Sequence, residues 1–189
     1  MKALTHDEVL KVLRLASGNV RDHAIILLAF RHGMRASEIC NLEMKDVDLA
    51  NGQITIRRLK GSLTTTQPMA DVQGAPLLSE KRVLRAWLKE RGSHPSKHVF
   101  VSQKSGHISR MQLHRIFSEL AEQAGVSKDR RHFHTLKHSL GVRLVEANVN
   151  LANIKQALGH RSIASTAVYT VPSDESAGKA VIAAIAGMA

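Results

Sequence analysis

The spacing of apolar and polar residues along the chain predicts a mainly helical protein. Thr5 and Glu8 stand at capping-box spacing before the apolar positions of 9–13, which marks the start of a first helix. A second helix is predicted over 20–32, because 24–30 is an unbroken apolar run and Gly33 follows it. The same reasoning predicts further helices over about 36–42, 79–91, 109–124, 135–147, 150–158, 163–168 and 175–188.

A β signal is confined to a short part of the chain. Residues 53–57 alternate polar and apolar side chains, residues 60–62 form a turn, and 63–66 are rich in β-branched residues. This pattern predicts a hairpin with Lys60 near its tip, and 99–101 is predicted to be a further short strand. The expected fold class is therefore mainly α with a small antiparallel β-sheet, in a single domain over residues 1–189.

Charge narrows the choice of partner. The 189 residues include 27 Lys plus Arg and 16 Asp plus Glu, a formal net charge of +11. Such an excess attracts polyanions and favours a nucleic-acid partner over a generic basic surface. The 3% aromatic content disfavours modules that read single strands by stacking on rings.

Cysteine usage and hydropathy indicate the compartment. The one cysteine, Cys40, excludes an internal disulfide and fits a reducing environment. No apolar run reaches the roughly 18 residues of a membrane span. Charges interrupt the apolar residues of the N-terminal segment, which is unlike a signal peptide. A cytoplasmic protein with no membrane association is therefore expected.

Several segments carry residues suited to phosphate chemistry. His134 and Lys137 are three residues apart, so on a helix both project from one face, where they can bind a phosphate or simply form a basic DNA-facing surface. Arg35 follows Gly33 at a helix start and can bind a phosphate with two hydrogen bonds. Nine residues after His160 stands Tyr169, the single tyrosine, which alone would be interpreted as a packing residue.

Four segments together change that interpretation. FRHGMRASEICNL, RLKGS, HTLKHS and LGHRSIASTAVYT occur in the order and spacing of the tyrosine recombinases, also called the phage-integrase family. The resemblance covers nearly the whole chain and is greatest to the short fimbrial phase-variation recombinases. It implies the tyrosine recombinase catalytic-domain fold. It also implies site-specific DNA recombination by inversion, integration or excision, with no cofactor.

The resemblance assigns a role to each matching residue. Tyr169 matches the nucleophile that forms a 3′-phosphotyrosyl bond. Arg35 matches the first arginine of the phosphate clamp, and Lys60 the lysine that protonates the leaving 5′-oxygen. His134 matches the first residue of the H-x-x-R box, Lys137 its arginine, and His160 the later His/Trp position.

The lysine at 137 departs from the family pattern and keeps a second hypothesis open. Lysine retains the charge of arginine but lacks its planar, two-pronged donor geometry. An active but slower enzyme is expected, and the alternative is a recombinase-like DNA-binding regulator with weak or no catalysis. A third hypothesis is a zinc site, because His134 and His138 have ligand spacing with His132 nearby. No H-E-x-x-H motif accompanies them, and no metal is expected.

The resemblance also implies partners. These are double-stranded DNA, a homotetramer on paired sites and DNA-bending accessory proteins. Residues 1–172 would form the catalytic core without the N-terminal core-binding domain of longer relatives, and 173–189 a C-terminal helix that docks on a neighbouring protomer or on its own domain. Basic residues expected near DNA are Arg110, Arg131, Arg161, Arg57 and Arg115, followed by Arg58, Lys104, His114, Lys128 and Arg130.

Overall fold

Helices form most of the fold, as the sequence predicts. The computed structural model describes residues 3–58, 63–102, 106–170, 181–182 and 185–186. The α-helices over these residues are α1 (His6–Ala16), α2 (Val20–Arg31), α3 (Ala36–Cys40), α4 (Glu80–Arg91), α5 (Arg110–Gln123), α6 (Thr135–Glu146), α7 (Leu151–Leu158) and α8 (Ala164–Ala167). Short 3-10 helices occupy Met44–Asp46, Pro76–Leu78 and Lys128–Arg130. Each predicted helix from 5 to 168 is thus present, with ends that differ by a residue or two.

Local signals explain where α1 and α2 begin and end. Thr5 and Glu8 form the predicted capping box, in which each side chain accepts a hydrogen bond from the other's backbone N–H. Asn19 caps α2 by accepting from the backbone N–H of Asp22 at 3.0 Å. Gly33 follows α2 with a φ of +54°, a left-handed value that suits glycine.

The sheet has three antiparallel strands in the order β1 (Val47–Asp48), β2 (Gln53–Ile56) and β3 (Thr65–Pro68). Ile54 and Ile56 on β2 are fully buried, which is the alternation that predicted this strand. Three details differ from the prediction: β1 was missed because it has only two residues, β3 runs over Thr65–Pro68 rather than 63–66, and the predicted strand over 99–101 is wrong. That region contributes an isolated bridge between Glu43 and His98 instead.

Two apolar clusters form the core. The larger one packs α1, α2, α4 and α5 around β2, with Leu13, Ile25 and Phe117 completely buried. The smaller cluster contains Leu140 of α6, Leu158 of α7 and the ring of Tyr169. The tyrosine is therefore held by packing between α6 and α7, and this cluster positions the candidate site.

Candidate active site

Arg35 stands at the start of α3, directly after the turn that Gly33 makes. Its backbone N–H donates to Glu38 Oε2 at 2.8 Å, and its guanidinium donates to Glu38 Oε1 at 3.2 Å. The Glu38 side chain is fully buried, whereas that of Arg35 is 36% exposed. Glu38 therefore orients a guanidinium that still reaches solvent, where its fork of N–H donors can meet phosphate oxygens.

Arg58, two residues after β2, binds Glu38 from the other side. Its guanidinium donates to Glu38 Oε2 at 3.0 Å and to the carbonyl oxygens of His32 at 2.7 Å, Gly33 at 2.9 Å and Ala157 at 2.9 Å. The side chain is completely buried. The expectation that Arg58 contacts DNA is therefore wrong: it ties the α2–α3 turn to the end of α7 and is inaccessible to a duplex.

Lys137 lies on the inner face of α6 and is almost completely buried. Its ammonium donates to the carbonyl oxygen of Leu158 at 2.7 Å, at the C-terminal end of α7. Burial, followed by the positive charges of Arg58 and Arg35, lowers the pKa of this amine to about 7. The ammonium group therefore loses its positive charge near neutral pH, whereas the arginine that the family pattern has at this position would stay charged.

Two histidines of the candidate site have lowered pKa values. Burial, followed by the charges of His138, Lys137 and Arg35, lowers the pKa of His134 to about 4. Burial, followed by the charges of Lys137 and Arg35, lowers that of His160 to about 4 as well, and its Nδ1 lies 3.0 Å from Thr166 Oγ1. Both imidazoles are consequently neutral at pH 7, and each carries one N–H donor rather than a positive charge.

Tyr169 follows α8 and is buried in the apolar cluster that contains Leu140 of α6 and Leu158 of α7. Its hydroxyl oxygen lies 3.3 Å from His138 Nδ1, and its ring stacks on that of His160 with centroids 6.3 Å apart and planes 12° from parallel. A Cβ atom added to Gly141 would stand 2.6 Å from the tyrosine ring, so the ring rests directly on the α6 backbone. Burial raises the pKa of the phenol, partly offset by the charge of Arg35, and the hydroxyl is protonated at neutral pH.

The structure brings together most of the residues assigned from the resemblance. They are Arg35, His134, Lys137, His160 and Tyr169. The rings of His134 and His160 are linked to that of Tyr169 by contacts with centroids 4.6 Å (His134 to His138), 5.8 Å (His138 to Tyr169) and 6.3 Å (Tyr169 to His160) apart. Lys137 precedes His138 on α6, and after burial the charge of Arg35 contributes to the pKa shifts of the other four. Lys60 lies outside the described residues.

The expected DNA-contact residues have different environments. Arg110, at the first turn of α5, and Arg161, before α8, are exposed. Arg131 donates to the carbonyl oxygen of Val126 at 2.8 Å and forms an ion pair with Glu122. Arg57 pairs with Asp46 and Glu43, and Arg115 lies 3.9 Å from Glu119 on its own helix. Lys104 lies outside the described residues.

Three residues of the pocket went unassigned at the sequence level: His138, Gly141 and Thr166. A signal existed for Gly141, because glycine inside a helix is destabilising by about 1 kcal/mol relative to alanine and usually has a packing reason. His138 has the i, i+4 spacing from His134 that suggested zinc, and their rings meet edge to face at 4.6 Å. Thr166 gave no sequence signal, since its role depends on how α8 folds back onto His160.

The described part of the chain has neither a cluster of metal ligands nor a membrane-spanning helix. There, no group of three or more His, Cys, Asp or Glu side chains is arranged to hold a metal ion. Over the same residues, none of the helices combines the length and the hydropathy that crossing a membrane requires.

Curated relatives of the chain include fimbriae regulatory proteins and tyrosine recombinases. It is 39% identical over 173 residues to the type 1 fimbriae regulatory protein FimB of Escherichia coli K12, covering 88% of this chain and 82% of FimB. It is 36% identical over 154 residues to FimE of the same strain, covering 79% of this chain and 74% of FimE. The tyrosine recombinase XerA of Pyrococcus furiosus is 31% identical over 173 residues, which are 89% of this chain and 57% of XerA.

Solved structures agree on the fold. A crystal structure of XerA recombinase superposes with a TM-score of 0.78 at 27% identity, over 94% of this chain and 62% of that one. XerH recombinase bound to its difH substrate gives a TM-score of 0.82 at 24% identity, over 96% of this chain and 54% of that one. The chain thus spans less than two thirds of these solved recombinases.

A family profile covers almost the whole chain. The profile of the phage integrase family matches residues 2–176. The length of this match and the 39% identity to FimB indicate the same family as the residues gathered around Tyr169. The chain belongs to the phage integrase family of tyrosine-type site-specific recombinases.

Proposed function

We propose that this chain cleaves and rejoins double-stranded DNA by forming a 3′-phosphotyrosyl bond through Tyr169. The observation that carries the proposal is the position of Tyr169: its ring stacks on that of His160, and its hydroxyl oxygen lies 3.3 Å from His138 Nδ1. A phenol is a weak nucleophile until cations at the phosphate or a base assist it. The arrangement supplies the cations and the hydrogen-bond donors for such a reaction.

Each residue has a defined part in the proposed reaction. Tyr169 attacks the phosphorus atom, and the 5′-oxygen leaves with a proton from Lys60. Arg35 stabilises the charge on the non-bridging oxygens, because donors fixed in advance bind the transition state more strongly than water does. Lys137, whose buried ammonium donates to the Leu158 carbonyl, adds positive charge behind the site. His134 and His160 add neutral N–H donors. The phosphotyrosyl bond conserves the energy of the broken bond, so rejoining requires no nucleotide cofactor.

The proposal extends to the assembly. XerH, whose catalytic fold this chain shares, was solved bound to its difH substrate. We therefore propose a homotetramer on paired sites in the cytoplasm, with DNA-bending proteins as accessory partners and inversion, integration or excision as the outcome. Val181, Ile182 and Ile185 are exposed by 58%, 69% and 62%, which supports docking of segment 173–189 onto a neighbouring protomer.

The decisive experiment is detection of a covalent protein–DNA complex on a denaturing gel. The protein is incubated in EDTA with nicked fragments of DNA from its source, beside the Tyr169→Phe variant. A complex that forms with the wild type and not with Tyr169→Phe supports the proposal, and the trapped fragment reveals the site when sequenced. An adduct that persists in Tyr169→Phe would exclude Tyr169 as the nucleophile.

A second variant separates chemistry from binding. Arg35→Ala should abolish cleavage with only a modest loss of affinity, because its guanidinium contributes mainly to the transition state. Specific binding by the wild type without any adduct would favour the alternative, a regulator without catalysis. The relatives identified above give that alternative no support.

A further inference from the structure

The hydroxyl of Tyr169 makes one hydrogen bond within the described part of the chain, and its partner is His138. The distance from the phenolic oxygen to His138 Nδ1 is 3.3 Å, and the two rings meet at 62° with centroids 5.8 Å apart. His138 lies on α6, one turn beyond His134. The imidazole thus faces the hydroxyl edge-on, with a ring nitrogen toward it.

The other histidines are placed differently relative to that hydroxyl. His160 lies parallel to the tyrosine ring, 12° from coplanar, and its Nδ1 is 3.0 Å from Thr166 Oγ1. His134 contacts His138 edge to face at 4.6 Å. Of these three imidazoles, His138 is the one placed to exchange a proton with the tyrosine oxygen.

The protonation states are suited to that exchange. Burial, followed by the charge of Lys137, lowers the pKa of His138, so its ring is neutral at pH 7 and Nδ1 has a lone pair in the Nε2–H tautomer. Burial raises the pKa of Tyr169, so its hydroxyl still carries a proton. The groups facing His138 are His134 and Lys137 on its own helix and Tyr169 from beyond α8.

We propose that His138 is the general base that accepts the phenolic proton of Tyr169 during strand cleavage. The inference rests on the proposed function. In the step, the O–H bond of Tyr169 breaks and its proton moves to His138 Nδ1, while the phenolic oxygen forms a bond to phosphorus. The bond from phosphorus to the 5′-oxygen breaks, and that oxygen takes a proton from Lys60. Rejoining reverses each transfer, and His138 returns the proton to the tyrosine.

The composition of the chain permits a direct test. Tyr169 is the single tyrosine, so replacing tyrosine biosynthetically by fluorotyrosine labels this position alone. In the DNA-free protein, the fluorine NMR signal should shift in His138→Asn and stay in place in His132→Asn, an exposed histidine of the same segment. An unchanged signal in His138→Asn would show that the contact does not exist in solution and would overturn the inference.

Cleavage rates test the proton transfer itself. The substrate is a nicked duplex carrying the site recovered from the trapped adduct. His138→Ala should slow adduct formation roughly 100-fold or more, which is the usual contribution of a general base. His138→Asn places an amide where Nδ1 stood, restoring a hydrogen bond but accepting no proton. It should remain as slow, and a rate near that of the wild type would reduce His138 to a positioning residue and overturn the inference.

Fluorotyrosines of increasing acidity at position 169 test whether the proton that His138 accepts is the phenolic one. A more acidic fluorinated Tyr169 depends less on a base, so the ratio of wild-type to His138→Ala rates should fall as fluorine is added. The matching ratio for Lys60→Ala should stay constant, because lysine acts on the leaving oxygen. A constant ratio for His138→Ala would overturn the inference while leaving the recombinase function intact. If the wild type forms no Tyr169-dependent adduct, the proposed function itself fails.

Discussion

The ring of Tyr169 lies directly on the backbone of α6 at Gly141. A Cβ atom at Gly141 would stand 2.6–2.7 Å from three carbons of the tyrosine ring, closer than real Cβ contacts allow. The glycine is in the middle of a helix, where it is less stable than alanine by about 1 kcal/mol. Its presence there is explained by the need to seat the tyrosine beside His138 and His160.

Gly141→Ala should therefore separate catalysis from binding. The added methyl group displaces the Tyr169 ring, so adduct formation should fall by at least about tenfold, because small misplacements of reacting groups have large effects on rate. DNA affinity should change little. The measurements are the adduct rate and a gel-shift titration. Gly18→Ala is the matched control, since a Cβ there would meet only the Leu15 oxygen at 3.5 Å, and equal rates in the two variants would contradict the interpretation.

Loss of Arg58 should destabilise the whole fold. Arg58→Met removes the donor to three backbone carbonyls and leaves Glu38 with less compensation for its buried charge. Breaking one partner of a buried ion pair lowers the free energy of unfolding by about 3–5 kcal/mol. Urea unfolding of Arg58→Met and of Arg57→Met tests this. The half-exposed Arg57 should give the smaller loss, and equal losses would refute the structural role of Arg58.

The rate difference between Lys137→Arg and the wild type should depend on pH. Lysine is a cation below its pKa, which is about 7 here, and neutral above it, whereas arginine stays charged throughout. As the pH rises through this value, the wild-type site loses a positive charge and cleavage should slow relative to Lys137→Arg. The negative charge of a bound phosphodiester raises the pKa of Lys137. The rate difference therefore develops at a higher pH but does not disappear.

Adduct rates from about pH 6 to about pH 10 measure this effect. Lys137→Met is the control, because it lacks the charge at every pH and should be slow throughout. A rate ratio of Lys137→Arg to wild type that stays constant with pH would exclude titration of Lys137 in the active complex.

Salt dependence should distinguish the exposed basic residues from those already paired. Arg161→Ala should lower affinity and reduce the slope of log affinity against log salt by about 1, as expected for one phosphate contact. Arg131→Ala should have a smaller effect, because its guanidinium already binds Glu122 and the Val126 carbonyl. Fluorescence anisotropy at several salt concentrations provides the slopes. A larger change for Arg131 would show that DNA binding breaks its ion pair.

The sequence by itself determined the helices, the pairing of β2 with β3, the family and most of the residues that the structure gathers around Tyr169. Capping boxes, glycine stops and 3.6-residue periodicity are local signals, which explains why α1, α2 and α5 were predicted to within a residue or two. The four recombinase segments likewise identified Arg35 and Tyr169 without any knowledge of their distance. The strand over 99–101 was wrong because three β-prone residues cannot form a strand without a partner in register.

The tertiary structure alone decided what each charged group does. Arg57 and Arg58 are neighbours with the same chemistry, yet one is half-exposed and the other is completely buried against Glu38. His138 and Tyr169 are 31 residues apart, and only the packing of α8 on α7 and of α7 on α6 brings their polar atoms within 3.3 Å. The burial of a side chain and its hydrogen-bond partners depend on contacts between segments distant in sequence. Burial and partners in turn set the pKa of the side chain and its access to DNA.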